Sequence, residues 1–472
     1  MWHNIYVDEK GGFAILRSIE EIYSMVEGIG INVTSPELIV KGVSIDSRTL
    51  IEGDLFVPIV RIDDGHNYVK QAFENGAVVS LWQADHVPPP EGLPLIIVED
   101  TLKALHELAQ SYRGQLNCKV IGVTGSNGKT TVKDLISSLL SASYKVHKTI
   151  GNLNGEYGLP LTLLAVEEDT DIIVLEMGMS NAGEMKILSE IAKPDIGIIT
   201  MIGVSHLASL GSREGIASAK LEILEGLNPC GVFIINGDEP LLNKPLSEMR
   251  LPETLKVIRF GESPGNDYYP LEINLNESSL SFTMNKYQAE FSVPMLGRHN
   301  VLNVLAAMAV ADCFQIKQPD IQSGLEKLVM TGMRMERIVT PRGFMIINDA
   351  WNASPVSMKA AIETLSNLEG FNRRILILGD MLELGDKEIE FHAKIAKCID
   401  MSKIQTVFTI GNLSKIISDT LHRTRTTGEV KHFTSKAELT AACKPLLNHN
   451  DVVLIKGSRG LKLEEICDSL NK

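Results

Sequence analysis

Cysteine is scarce in this chain and scattered. The six thiols, Cys118, Cys230, Cys313, Cys398, Cys443 and Cys467, form no Cys-x-x-Cys pair and no dense framework. That spacing argues against a disulfide scaffold and fits reduced thiols in a cytosol. Positive charge is in deficit as well: 45 Lys and Arg face 59 Asp and Glu, for a net charge of −14. Affinity for phosphate backbones needs clustered cations, so no nucleic-acid partner is expected. A nucleotide can still be held in a local basic pocket. No apolar run approaches the roughly 20 residues of a membrane span. The N-terminal stretch carries Asp8, Glu9 and Lys10 and lacks the apolar core of a secretory leader. A cytoplasmic protein with no membrane span is expected, with a flexible extension over its first dozen residues. Short-period repeats and low-complexity tracts are also missing.

At 472 residues the chain is too long for one ordinary core, and length suggests about three domains. Residues 16 to about 115 mix short elements: a helical pattern at 17–26, a strand ending at 42–48, another starting at 53–58, a helix at 68–75 and a strand at 95–98. From 118 onward strands (119–124, 172–176, 196–201, 231–236) alternate with helices (129–141, 182–192, 213–227, 299–314). Such alternation predicts parallel βαβ units. A period-two stretch at 266–295 predicts a small additional β portion. A second alternating set follows, with strands at 344–348, 374–378, 406–410 and 452–456 and helices at 356–367, 387–399, 436–446 and 460–469. The expected fold is α/β in three domains, 1–115, 116–331 and 332–472, the central one a P-loop parallel sheet and the last Rossmann-like.

The most informative segment is Thr124-Gly125-Ser126-Asn127-Gly128-Lys129-Thr130-Thr131, which follows the apolar run Val120 to Val123 and opens a helical pattern. Glycines let backbone N–H groups close on phosphate oxygens, and a helix N-terminus adds partial positive charge. Lys129 is placed to neutralise the β- and γ-phosphates of a nucleoside triphosphate, and Thr130 to reach magnesium. The spacing is shorter than the common phosphate-loop pattern, whose first Gly would fall at Val123. A bare strand-turn-helix corner is the alternative.

Three further residues stand near that loop in the expected fold. Asp171 to Glu176 reads as a buried strand ending in a carboxylate, and ligands of doubly wound sheets sit at the carboxyl ends of strands. Glu176 is therefore a candidate magnesium ligand, against the alternative of a solvated strand-end charge. His206 falls after the next strand and is a second candidate. Lys220 shares a helical stripe with Ile216, Ile223, Leu224 and Leu227. A Lys in an apolar stripe snorkels to water, pairs, or loses its proton. In the last case its amine can capture carbon dioxide as a carbamate.

These residues resemble the Mur ligases, the ATP-dependent amide-forming enzymes of peptidoglycan assembly. The short loop is similar to that family's nucleotide motif, and Glu176, His206 and Lys220 each match a family position. The resemblance implies two magnesium ions, held by Thr130, Glu176, His206 and a carbamylated Lys220. Gly297-Arg298-His299-Asn300-Val301-Leu302-Asn303 resembles the helix start beside adenine, implying Asn300 and Asn303 as nucleotide contacts. Met333-Arg334-Met335-Glu336 and Asp349 resemble phosphate- and nucleotide-contacting positions of the third domain. Asn152-Leu153-Asn154, Leu378-Gly379-Asp380-Met381-Leu382-Glu383-Leu384-Gly385 and Lys456-Gly457-Ser458-Arg459 resemble the branch that joins D-alanyl-D-alanine to a UDP-N-acetylmuramoyl tripeptide. Two departures occur. Trp351-Asn352-Ala353-Ser354-Pro355 stands where Tyr-Asn-Ala-Asn-Pro is usual, and Gly155 replaces a frequent Asn.

What the resemblance implies is an ATP-dependent ligase working through an acyl phosphate. The first domain would bind the UDP end through Ser47 and Arg48. Asn152 and Asn154 would touch the tripeptide substrate. The third domain would bring the dipeptide, with Asn352, Ser354 and Arg459 as its candidate contacts, and close on ATP. A monomer is expected. Two other readings stay open: a nucleotide-regulated switch that makes no bond, and another ligase of the superfamily, either the one adding the third residue or a folylpolyglutamate synthetase. The Asp-Asn-Pro-Arg-type motif of the third-residue ligase is absent.

Overall fold

The computed structural model describes residues 15–276, 278–424 and 428–472. The expectation of a flexible extension over the first dozen residues lies outside them. Within the described residues the strands assemble into three main α/β sheets and two smaller antiparallel ones.

The first sheet is ordered Gly30–Asn32, Leu95–Val98, Ala77–Gln83, Asp54–Phe56, Gly42–Ser44. It is parallel except at Gly30–Asn32. The helix Thr101–Gln115 follows it and begins where the Asp100 carboxylate accepts from the Lys103 N–H. Leu105, Leu108, Ala109 and Tyr112 on this helix are buried in a core continuous with Leu159, Leu163, Met177 and Ile191 of the next sheet's helices and loops. Tyr112 Oη donates to Val166 O at 2.8 Å, and Arg113 Nε to Ala192 O at 3.0 Å. The first and central bodies therefore share apolar packing as well as hydrogen bonds.

The central sheet is wholly parallel, ordered Lys256–Phe260, Val232–Asn236, Ile196–Ile199, Lys119–Thr124, Ile172–Glu176, Val146–Lys148. Its middle strands are near-continuous Val, Ile and Leu, as burial on both faces requires. The expected β portion is an antiparallel meander, Pro270–Leu275, Leu280–Met284 and Tyr287–Val293. The third sheet runs Glu336–Val339, Met345–Asp349, Val452–Lys456, Arg374–Gly379, Thr406–Ile410, Glu429–Phe433, with the first strand antiparallel. Two apolar clusters lie on its two sides.

Some elements are shorter than expected. Strand 196–201 ends at Ile199; Thr200 still donates its N–H to Thr124 O, and its hydroxyl bonds Asn127 O at 2.5 Å. The helix expected over 213–227 is α-helical at Arg213–Leu221 and then tightens to a 3-10 turn, Glu222–Glu225. There Ser189 Oγ donates to Ile223 O and accepts from the Gly226 N–H, which closes the end. The apolar pattern does not mark the edge strands Val146–Lys148, Lys256–Phe260, Glu336–Val339 and Glu429–Phe433.

Candidate active site

Strand Lys119–Thr124 runs into the phosphate loop and on into helix Lys129–Leu140. Two glycines have no substitute there. Gly125 has φ +145°, and a Cβ on it would lie 1.8 Å from Thr200 Oγ1. Gly128, the helix N-cap, has φ +84° and sits under Asn303 Oδ1. Thr124 Oγ1, Ser126 Oγ and Asn127 Nδ2 are buried around this turn without a hydrogen-bond partner. Unpaired buried polar atoms are costly. On a glycine turn at a helix N-terminus they fit an anionic phosphate ligand.

Glu176, at the carboxyl end of its strand, is buried beside this turn. Its Oε2 accepts from Thr130 Oγ1 at 2.6 Å and its Oε1 from Asn154 Nδ2 at 2.8 Å. Burial by itself would raise its pKa. Arg334, Lys129 and Lys133 outweigh that, so the carboxyl is held below its ordinary value. It is thus a fixed anion beside a hydroxyl, oxygen donors of the kind that help hold magnesium. Lys129 bends back to donate to Gly125 O at 3.0 Å. Enclosure lowers its pKa against the pull of Glu176.

His206 adopts a left-handed backbone (φ 62°) as N-cap of the short helix Leu207–Leu210. Its Nδ1 lies 3.1 Å from Glu383 Oε2 of the third domain. Lys220 is 2% exposed. Burial, then repulsion from Lys129, pushes its pKa well below the ordinary lysine value. Burial thus disfavours the charged ammonium and favours the neutral, nucleophilic amine. Among the described contacts Lys220 Nζ makes no hydrogen bond or ion pair, which fits a group to be modified rather than a snorkelling ammonium.

A cleft of about 1990 Å³ passes over this centre. At one end it is lined by Ser47, Arg48 and Arg61, in the middle by Ser126, Asn127, Gly128, Lys129, Thr130, Thr131, Asn152, Asn154, Glu176 and His206. Asn300, Asn303, Arg334, Asp349 and Asn352 line the remainder. Thr124, Gly125, Lys220, Ser354 and Arg459 are expected site residues that do not line it. Ser47 Oγ donates to Gln71 Oε1, and Arg48 makes a two-pronged pair with Asp46. Asn300 and Asn303 share one helix face, but they bond each other at 2.8 Å, and Asn300 Nδ2 donates to Leu296 O. Ser354 Oγ accepts from the Ser357 N–H as a helix cap and donates to Asn127 Oδ1 at 3.2 Å, across the domain boundary. Arg459 pairs with Glu464 and lies 5.0 Å from the Trp351 ring, with Arg334 5.6 Å from the same ring.

Sequence reasoning assigns no role to Lys456 or Glu383. Lys456 Nζ donates to Asp349 Oδ2 at 2.6 Å and to Asn352 O at 2.9 Å, so it orders two of the expected site residues. Its position at a strand's carboxyl end is the signal that could have found it.

Known proteins resemble this chain in both sequence and fold. The Mur ligase middle domain is matched over residues 123–311, and the Mur ligase glutamate ligase domain over 333–459. A UDP-N-acetylmuramoyl-tripeptide--D-alanyl-D-alanine ligase of Bacillus subtilis (strain 168) is 46% identical, over 97% of this chain and 98% of its own. The ligase of the same name from Escherichia coli (strain K12) is 32% identical, over 92% and 95%. MurF of Acinetobacter baumannii superposes with a TM-score of 0.87 at 28% identity, covering 98% of this chain and 100% of that one. MurF of Thermotoga maritima in complex with ADP gives 0.78 at 27%, covering 91% and 97%. The chain therefore belongs to the Mur ligase family of ATP-dependent ligases, in its MurF branch.

Proposed function

We propose that this enzyme joins D-alanyl-D-alanine to a UDP-N-acetylmuramoyl tripeptide in the cytoplasm, as a peptidoglycan precursor step, with release of ADP and phosphate. One observation carries the reading: a single cleft runs from Ser47 and Arg48, past the phosphate loop and Glu176, to Asp349 and Lys456. It offers an anion-binding end, a triphosphate-binding middle and a third wall that presents the amine. All these groups come from one chain, so the site as read needs no residue from a second subunit. The domain roles follow: 1–115 for the UDP end, 116–331 for ATP, 332–472 for the dipeptide and for closure.

A carboxylate resists attack by an amine because oxide is a poor leaving group. The tripeptide carboxylate oxygen therefore attacks the γ-phosphorus of ATP, forming an acyl phosphate and expelling ADP. The amine of the dipeptide then attacks the acyl carbon, phosphate leaves, and the nitrogen loses a proton. The chain's task is positioning and charge neutralisation. Gly125 to Thr130 cradle the phosphates. Lys129 leaves Gly125 O for the β/γ oxygens, and Arg334, whose Nε is buried without a partner, adds a second cation. Thr130, Glu176, His206 and Lys220 would hold magnesium, which when bound screens the repulsion between carboxylate and triphosphate. Lys220 would enter that set as a carbamate: its neutral nitrogen bonds to the carbon of carbon dioxide and one proton is released. Asn154 orients Glu176. Asn152 and Asn352 line the same cleft and would contact the tripeptide and the dipeptide respectively.

The test is phosphate release with ATP, magnesium and UDP-muramoyl tripeptide, with and without D-alanyl-D-alanine. Turnover that requires the dipeptide supports the reading. Turnover indifferent to it, or satisfied only by a single amino acid such as glutamate, overturns it in favour of another superfamily ligase.

A further inference from the structure

Helix Lys129–Leu140 carries a charged cluster that the reaction does not use. Asp134 has a fully buried side chain. Its Oδ1 accepts from Lys148 Nζ at 2.8 Å and lies 3.4 Å from Lys133 Nζ. Its Oδ2 accepts from the backbone N–H of Thr331 at 2.8 Å, 197 residues away. Burial opposes ionisation, yet the two ammonium groups hold the carboxyl below its ordinary pKa. Lys133 also donates to Thr149 O, and Thr149 Oγ1 accepts from the Glu176 N–H. The cluster is thus linked to the strand end that carries Glu176.

Thr331 stands where the chain changes partners. Just before it, Leu328 and Met330 pack on the central core. Just after it, the Met333 N–H bonds Glu336, the Met335 N–H bonds Asp349, and Met333 O accepts from Trp351, all in the third domain. Met333 and Met335 have left-handed backbones, φ 60° and 53°. Arg334 lies between them. A buried ion cluster is an expensive way to fill space, and an apolar group would serve packing better. What an apolar group cannot do is fix a backbone N–H.

We propose that Asp134 is the fixed end of the hinge between the central and third domains: by holding the Thr331 N–H to the phosphate-loop helix, it sets where Arg334 arrives when the third domain closes. Asp134 is a positioning residue, and the idea rests on the closure described under the proposed function.

The experiment uses the full chain, Asp134→Asn and Thr331→Pro. Thr331→Pro removes the donor and leaves the ion cluster whole, so it decides the matter if Asp134→Asn fails to fold. Hydrogen–deuterium exchange over residues 329–337 is measured with and without a non-hydrolysable ATP analogue plus magnesium, beside steady-state kinetics. The parent is expected to gain protection on binding the analogue, and the variants to lose most of that gain. Their kcat should fall about tenfold or more, the scale of a lost hydrogen bond to a charged group. Variants with the parent's nucleotide-dependent protection and kcat overturn the anchor alone. A parent that gains no protection overturns the closure reading and the anchor with it.

Discussion

His206 Nδ1 and Glu383 Oε2 meet at 3.1 Å across the boundary between the central and third domains. Glu383 is 67% exposed, so the pair contributes little to stability, about 0–1 kcal/mol. Its effect is on orientation: an imidazole held through Nδ1 presents Nε2 in a fixed direction. Glu383→Ala should lower kcat about tenfold, on the scale of lost outer-shell partners, with the melting temperature nearly unmoved. Glu383→Gln keeps an acceptor and should retain most activity. Steady-state kinetics with thermal melts checks both, and parent kinetics in Glu383→Ala removes the orienting role.

Asn154 donates to the one carboxylate oxygen of Glu176 that Thr130 does not occupy. Asn154→Ala frees that oxygen to rotate. Magnesium affinity or activity is expected to drop about 10–100-fold, read from the magnesium dependence of phosphate release. An unchanged magnesium titration would place Asn154 outside the metal environment.

Lys220→Ala should nearly abolish turnover, and short carboxylic acids should restore part of it by supplying the missing anion. Mass spectrometry of the native chain under bicarbonate should add the mass of carbon dioxide at Lys220. A variant with ordinary turnover rules out the carbamate.

Gly125→Ala places a Cβ 1.8 Å from Thr200 Oγ1 at φ +145°. Side chains rarely adopt that backbone, so a loss above about 1 kcal/mol is expected, together with loss of nucleotide binding. Calorimetric titration with ADP and a thermal melt check the two separately.

His392 is fully buried: its Nε2 accepts from the Met381 N–H at 3.0 Å, and its Nδ1 faces Glu388 O at 2.7 Å. Burial lowers its pKa, against the pull of that carbonyl. The folded chain therefore binds fewer protons than the unfolded one below about pH 6.5, the ordinary imidazole value. Stability from this site is complete above that pH and falls as the pH drops toward the lowered folded value. His392→Gln should flatten the slope of denaturation midpoint against pH in that window. An identical slope in both chains would assign the acid sensitivity elsewhere.

The sheet-forming strands of the two large domains were legible because burial on both faces leaves long apolar runs, as at Ile172–Glu176 and Val452–Lys456. Their edge strands were not. Val146–Lys148 and Glu429–Phe433 have one free side and a mixed composition, so no period stands out. The phosphate loop was legible because its glycines are fixed by local backbone geometry. Asn300 and Asn303 were correctly placed on one face, but their mutual bond depends on Leu296 O and Gly128, which spacing cannot reveal. Glu383, Lys456 and Asp134 act through partners more than 100 residues away, apart in sequence and joined only by tertiary packing.

Helix Thr101–Gln115 locks the first sheet onto the central one through a shared core. On the proposed reading, that turns the cleft into a ruler. A substrate gripped by its uridine diphosphate end would deliver its far carboxylate to the phosphate loop only when the peptide between them has the right span. Stems one residue shorter or longer would be rejected by distance, with no side chain needed to count them.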